Sequence, residues 1–350
     1  MAATDRLCEL LGIELPLIQA PMAGAQGSAM AIGVSSAGAL GSLPCAMLGP
    51  DALRSELQAI RDATDKPFNV NFFCHTPPEP DESREARWRA ALGPYYAEFG
   101  IDPAGIGAGA GRLPFSEQSA ELLAQFRPPV VSFHFGLPVP ALLQRVRAWG
   151  AKVIASATTV EEACWLAEHG VDAVIAQGLE AGGHRGHFLS DDLTRQMGTL
   201  ALVPQIVRAI DKPVIAAGGI VDAQTIAAAL AAGASGVQVG TAYLLCPEST
   251  ISAAHRAALA SDAARHTALT RLFTGRPARG IVNRVIGELG AMSDAPPAFP
   301  LATAAIAPLR TAAEAQGSGD FSPLWSGQNA SGCKPIPAAQ LTRELAAGWR

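Results

Sequence analysis

Residues 178–187 read GLEAGGHRGH, four glycines and two histidines in ten positions. Histidine can donate a hydrogen bond to an anionic oxygen or accept a proton near neutrality, because its unperturbed pKa is about 6.5. Glycines at 182, 183 and 186 would let the chain pass close over a bound group while His184 alone projects toward it. His134, inside SFHFG (132–136), is a second imidazole that could converge on the same point, and Asn71 and Gln177 add amides that both donate and accept. Plainer readings stand beside these. His184 could be a solvated loop residue, His134 a satisfied core histidine between two phenylalanines, and Asn71 a cap on its strand end. His187 reads as a solvent-facing or packing residue, and Arg185 as a lure for anions or a solvated surface charge. Cys74 reads as a small apolar plug, since no His–carboxylate pattern accompanies it.

Two glycine steps suggest where an anion would sit. Ala217-Gly218-Gly219-Ile220 and Val239-Gly240-Thr241-Ala242 each follow an apolar run and lead into a helix. Glycine lets backbone amides approach an anion, and a helix start favours negative charge. Together the steps predict a phosphate site around Gly218, Gly219, Val239, Gly240 and Thr241. Cysteines at 8, 45, 74, 164, 246 and 333 lie far apart, without a CxxC pair or metal-ligand spacing. Reduced thiols and no metal are expected.

The elements that must position these groups are short apolar runs, each followed by a helical pattern: 16–22, 39–45, 68–74, 130–136, 152–158, 173–178, 213–219 and 236–244. Their hydrophobicity is continuous rather than alternating, which indicates strands buried on both faces of a parallel sheet. In TVEEACWLAEHG (159–170), Val160, Cys164 and Ala167 share a face and Gly170 stops the helix; DAQTIAAALAAGA (222–234) starts on an Asp cap and ends at Gly233. Strand–helix units of this number, over about 250 residues, predict an α/β fold, a (β/α)8 TIM barrel with a smaller, mostly helical cap domain. A doubly wound open sheet is the alternative, weakened because no GxGxxG follows the first strand. Residues 1–75 and 128–247 are expected to form the barrel, and the insertion 76–127 with 248–350 the cap. Barrel active sites lie at the C-terminal strand ends, where Asn71, His134 and the Gly-rich loop after Gln177 would all fall.

Composition narrows the function further. The 350 residues are 49% hydrophobic and 16% charged, which suits a folded chain, and the net charge of −5 includes no basic block for a polynucleotide. Asp5, Glu9 and Glu14 interrupt any apolar signal core, and no uncharged run reaches membrane-spanning length. A cytoplasmic protein without membrane or nucleic-acid partners is expected.

QAPMAG (19–24), NVNFF (69–73), SFHFG, AQGLEAGGHRG (176–186), AAGGI (216–220), QVGTAYL (238–244), TGRPARG (274–280) and WSGQ (325–328) together resemble the nitronate monooxygenase family, formerly 2-nitropropane dioxygenase. The resemblance spans nearly the whole chain; AQGLEAGGHRG and QVGTAYL, in this order and spacing, are its most specific pieces. It implies an FMN-bearing barrel that oxidises alkyl nitronates, small anions, with O2 to carbonyl compounds and nitrite. It also implies flavin phosphate on the backbone around Gly219, Gly240 and Thr241, and Asn71, Gln177 and Gln238 at the ring edge or ribityl chain. Gly182 would approach the cofactor, Ala20, Pro21 and Met22 would line the ring, and His184 and His134 would be the active-site histidines. Two other readings remain: an FMN-dependent NAD(P)H reductase of a quinone or enoyl thioester, and a non-flavin barrel that binds phosphate.

Overall fold

Strands that are apolar on both faces must be covered on both, and all eight apolar runs meet that need in one parallel sheet. The computed structural model describes residues 2–107 and 111–347. From the N-terminus come α1 (Ala3–Leu11), β1 (Leu17–Gln19), α2 (Ser28–Ser36), β2 (Gly41–Pro44), α3 (Pro50–Ala63) and β3 (Phe68–Phe73). There follow α4 (Glu82–Phe99), α5 (Glu117–Phe126), β4 (Val130–His134), α6 (Pro140–Ala148), β5 (Lys152–Ala157), α7 (Val160–Glu168) and β6 (Ala173–Gln177). Next are β7 (Gly183–His184), α8 (Thr199–Ala209), β8 (Val214–Ala217), α9 (Ala223–Ala231) and β9 (Gly236–Val239). The chain ends with α10 (Ala253–Leu259), β10 (Thr267–Thr270), β11 (Ala278–Ile281), α11 (Arg284–Leu289), α12 (Ala302–Ala315) and α13 (Ala338–Ala346).

The main sheet runs β1-β9-β8-β6-β5-β4-β3-β2. A parallel bridge between Ile18 and Leu40 brings its two ends together, with Gln19 N donating to Leu40 O at 2.9 Å. This is the expected TIM-type barrel. Val70, Val131, Val153, Val174 and Val237 are fully buried, each contributing on the order of 1.5–3 kcal/mol by leaving water. A separate apolar core lies outside the barrel, where Trp88, Leu92, Tyr95 and Tyr96 of α4 meet Ile306 and Leu309 of α12 and Val285 of α11. Trp88 Nε1 donates to Ala302 O and the Tyr96 hydroxyl to Ala305 O, so the aromatic polar tips are satisfied as the rings bury.

Packing departs from the expected division in two places. α5 lies against α3 and α6, with Ala120, Leu123 and Phe126 in the barrel core, because it is the crossover that a parallel β3–β4 pair requires. α13 returns from the C-terminal region to cover α2 and α9 through Ala338, Leu341 and Leu345. α7 also buries a different face from the expected one: Glu162, Ala163 and Leu166 point inward, while Val160, Cys164 and Ala167 are half-buried. The reason is the Glu162 carboxylate, which accepts from Thr158 N and Oγ1 (2.7 and 2.8 Å) and from Phe188 N (2.6 Å).

A second, three-stranded antiparallel sheet has the order β10-β11-β7. Its edge strand is only Gly183–His184, paired with Arg279 and Ala278. The glycine-rich segment is thus anchored as an edge on a C-terminal hairpin. Among the described residues no helix is long and apolar enough to cross a membrane, and no group of three or more His, Cys, Asp or Glu gathers as a metal site would.

Candidate active site

At the C-terminal ends of the barrel strands lies a cavity of about 250 Å3. Ala20, Pro21 and Met22 line it beyond β1, Asn71 on β3, His134 on β4 and Gln177 on β6. Gly182 and His184, Gly218 and Gly219, and Gln238, Gly240 and Thr241 complete the expected set around it. Val239 is the exception. It is 1% exposed in the barrel core, and only its carbonyl reaches toward the mouth, accepting from Ala20 N at 2.8 Å. Alternation along β9 explains this, since Gln238 and Gly240 face the cavity side and the residue between them cannot.

The loop after β6 is held by side chains from three directions. Gln177 grips it with both ends of its carboxamide, Nε2 donating to His184 O (2.9 Å) and Oε1 accepting from Gly186 N (2.8 Å). His134 Nε2 lies 3.3 Å from the same His184 carbonyl, an acceptor only, so Nε2 carries the proton. His134 Nδ1 then accepts from Ser156 Oγ at 3.0 Å. Both nitrogens are therefore spent inside the protein. Burial and the nearby Arg276 lower the His134 pKa to about 3, which leaves it a neutral brace.

His184 is presented differently. Thr274 Oγ1 lies 2.9 Å from His184 Nε2 and 3.3 Å from the Arg276 carbonyl. The carbonyl can only accept, so the hydroxyl proton goes there and the oxygen accepts from His184 Nε2–H. Nδ1 keeps its lone pair and has no protein partner among the described residues. Burial first, then the positive Arg112, hold the His184 pKa well below its usual value. The free imidazole is accordingly neutral at neutral pH, unlike the readily titrating histidine that an exposed loop would carry.

The glycines serve the protein's own packing. A Cβ on Gly182 would sit 2.5 Å from Gly327 N, and one on Gly186 would sit 2.6 Å from His134 Cε1. The segment around Trp325, Ser326 and Gly327 closes over the loop here, with Gly327 N donating to Thr241 Oγ1 at 2.9 Å. Arg185 is neither a lure at the mouth nor a surface charge. It is 0% exposed, and its guanidinium donates to Gln177 O (2.8 Å), Gly178 O (2.6 Å) and Gln196 Oε1 (2.7 Å), tying off the carbonyls where β6 ends. Burial lowers its pKa to about 9, so it remains a cation at neutral pH. His187 is buried, with Nε2 3.3 Å from Asp191 Oδ1. Cys74 is an apolar filler whose pKa burial pushes well up.

At the glycine steps, Gly218 (φ 118°) and Gly219 (φ 73°) adopt backbone conformations that L side chains rarely reach. The amides of Gly219, Gly240 and Thr241 donate to no protein group among the described residues. Gln238 Oε1 is buried without a protein partner as well. Several residues here carried no clear signal in the sequence. Glu180 accepts from Thr199 N through both oxygens (3.0 and 2.8 Å), capping α8, whose Gly198 has no side chain to do so. Thr274 and Arg276 arrive from the β10–β11 hairpin, and Phe73 and Arg112 line the cavity from β3 and the segment after α4.

The family model described as "Nitronate monooxygenase" matches residues 4–348. A curated nitronate monooxygenase from Pseudomonas aeruginosa is 46% identical, over 98% of this chain and 98% of its own length. A solved nitroalkane oxidase from Streptomyces ansochromogenes superposes with a TM-score of 0.88 at 38% identity, over 98% of this chain and 97% of the other. FabK from Thermotoga maritima superposes with a TM-score of 0.75 at 28% identity, over 98% and 95%.

Proposed function

The chain belongs to the nitronate monooxygenase family, and from that premise we propose that it oxidises small alkyl nitronates with O2 to carbonyl compounds and nitrite, using non-covalent FMN at the C-terminal ends of the barrel strands. The observation that carries the reading is the set of uncommitted polar groups around one cavity. The free amides of Gly219, Gly240 and Thr241 suit a single phosphate, and the buried, unpartnered Gln238 Oε1 suits a donor on a flavin ring or ribityl chain. FMN, when bound, supplies the electron-accepting ring that polypeptide side chains lack.

The chain's own residues do the rest. Ala20 to Met22 offer an apolar surface for a planar ring, and Asn71, fixed by Nδ2 donation to Ser132 Oγ at 2.8 Å, offers its carbonyl oxygen. Arg112 lines the cavity and favours an anionic substrate there. His184 meets that substrate with a neutral imidazole whose Nδ1 is free. With a pre-formed nitronate no base is needed, and the anion is held through the charge of Arg112. With a neutral nitroalkane, Nδ1 takes the α-carbon proton, and the imidazolium so formed is stabilised by the anion it creates beside it. Phe73, against the His184 ring at 6.2 Å between centroids, keeps this side of the cavity apolar.

Oxygen uptake and nitrite release from an alkyl nitronate, with no NADH added, test the proposal. Stoichiometric nitrite is the expected result. Rapid NADH oxidation with a quinone, together with inertness toward nitronates, would transfer the assignment to a reductase.

A further inference from the structure

A second recess of about 440 Å3 lies beside the first and shares none of its lining residues. The two are separated by aromatic rings. Phe299 packs on His184 (5.3 Å between centroids) and on His75 (4.8 Å), while Phe135 lies 6.0 Å from His184 and 6.2 Å from His75. One layer of phenylalanine therefore stands between the catalytic histidine and the recess. Phe135 holds a left-handed backbone (φ 69°), unusual for a bulky residue, and its ring lies 4.2 Å from the Arg276 guanidinium carbon.

Among the described residues the polar lining of the recess carries three arginines and two histidines against one aspartate. His75 is 7% exposed, and among the described residues neither ring nitrogen meets a hydrogen-bond partner, although the Arg112 backbone lies near enough to act on the ring. Arg276 donates to His187 O, yet among the described residues its buried Nε has no acceptor. Arg84 contributes a second guanidinium, bonded to Pro296 O. Among the described residues neither arginine has a carboxylate within 4.0 Å. Asp191, the one acid of the lining among the described residues, stands exposed and turned to His187 Nε2, and together with Glu162 it acts on Arg276 only from a distance. Arg271, also in the lining, is paired with Asp294 at 3.5 Å. Buried cations and imidazoles are retained where they meet an opposite charge or a hydrogen-bond partner.

We propose that this recess is a second binding site, for a small oxoanion held by the His75 ring and the Arg276 guanidinium. It is a holding station one ring away from His184. Resting on the nitronate reading, its occupant is either the nitronate on its way in or nitrite on its way out, two anions of the same chemistry.

The direct test soaks crystals of the flavin-loaded protein in sodium bromide and locates the anion by anomalous scattering. A peak between His75 and Arg276, lost in His75→Phe, is expected; bromide found only elsewhere overturns the site. Kinetics then separate the sources. An inbound station predicts that His75→Phe lowers kcat/KM for the nitronate by about 10-fold or more. An outbound station predicts weaker product inhibition by nitrite at unchanged kcat/KM. With flavin content intact, no change in either overturns the transit role. Failure of the nitronate reading would appear separately, as no nitrite from the unaltered protein, and would leave the bromide peak untouched.

Discussion

His184 and His134 have the same side chain and opposite circumstances. Hydrogen bonds occupy both nitrogens of His134, whereas His184 keeps Nδ1 free at the cavity. We therefore expect His184→Asn to retain flavin and lose turnover. Loss of a base typically costs about 10²–10⁴-fold, whereas the Nδ1 lone pair gives an anion no hydrogen bond to lose. The comparison between substrates decides: the neutral nitroalkane should suffer far more than its nitronate if His184 takes a proton. Unchanged kinetics on both would return His184 to an ordinary loop residue. Since the pKa of His184 lies well below 6.5, the acid limb for nitroalkane kcat/KM in the free enzyme should fall well below pH 6.5; a limb at 6.5 would contradict the buried environment. His184 was legible in the sequence because its chemistry and its glycine neighbours are both local. Arg185, Glu180 and Glu162 were not, since a side chain's role as a tie or a cap depends on carbonyls and amides that only the fold brings within reach.

At the scale of elements, the eight barrel strands were legible because burial on both faces writes itself as a continuous apolar run. β7 left no such trace. Two residues have no period, and their pairing with β11 is a contact across some ninety positions of chain. α5 was hidden by the proline- and charge-rich stretch before it, and α13 by distance in sequence from the barrel it covers. The glycine steps after β8 and β9 were legible as edges of the cavity, and the anion cradle proposed there rests on their free amides; Val239 could not be separated from its neighbours without knowing which way β9 faces. Gly240 gives a test of this element. A Cβ there would already lie 3.3 Å from Ala20 Cβ, so Gly240→Leu should fill the space before the free amides. Purified variant protein should be colourless and folded; full FMN retention would remove the proposed phosphate site.

The whole molecule closes a parallel barrel, then lays a C-terminal hairpin and helices over the end where the cavity lies, burying several imidazoles on the way. Burial lowers His134 to about 3 and His75, His187 and His255 to about 4. Between those values and the unfolded value of about 6.5, the unfolded chain binds protons that the native protein refuses. Stability is thus fully present above pH 6.5 and is lost as pH falls toward 4, by up to about 1.4 kcal/mol per pH unit for each histidine. Urea midpoints at pH 7 and pH 5.5, above the main carboxylate range, should show the loss; equal midpoints would mean that these rings are solvated. The central claim is that this molecule draws electrons from a nitronate, and anaerobic mixing of the flavin-loaded protein with an alkyl nitronate or with NADH tests it most directly. The account predicts that the nitronate alters the visible flavin band within turnover time and NADH does not; bleaching by NADH alone would contradict it.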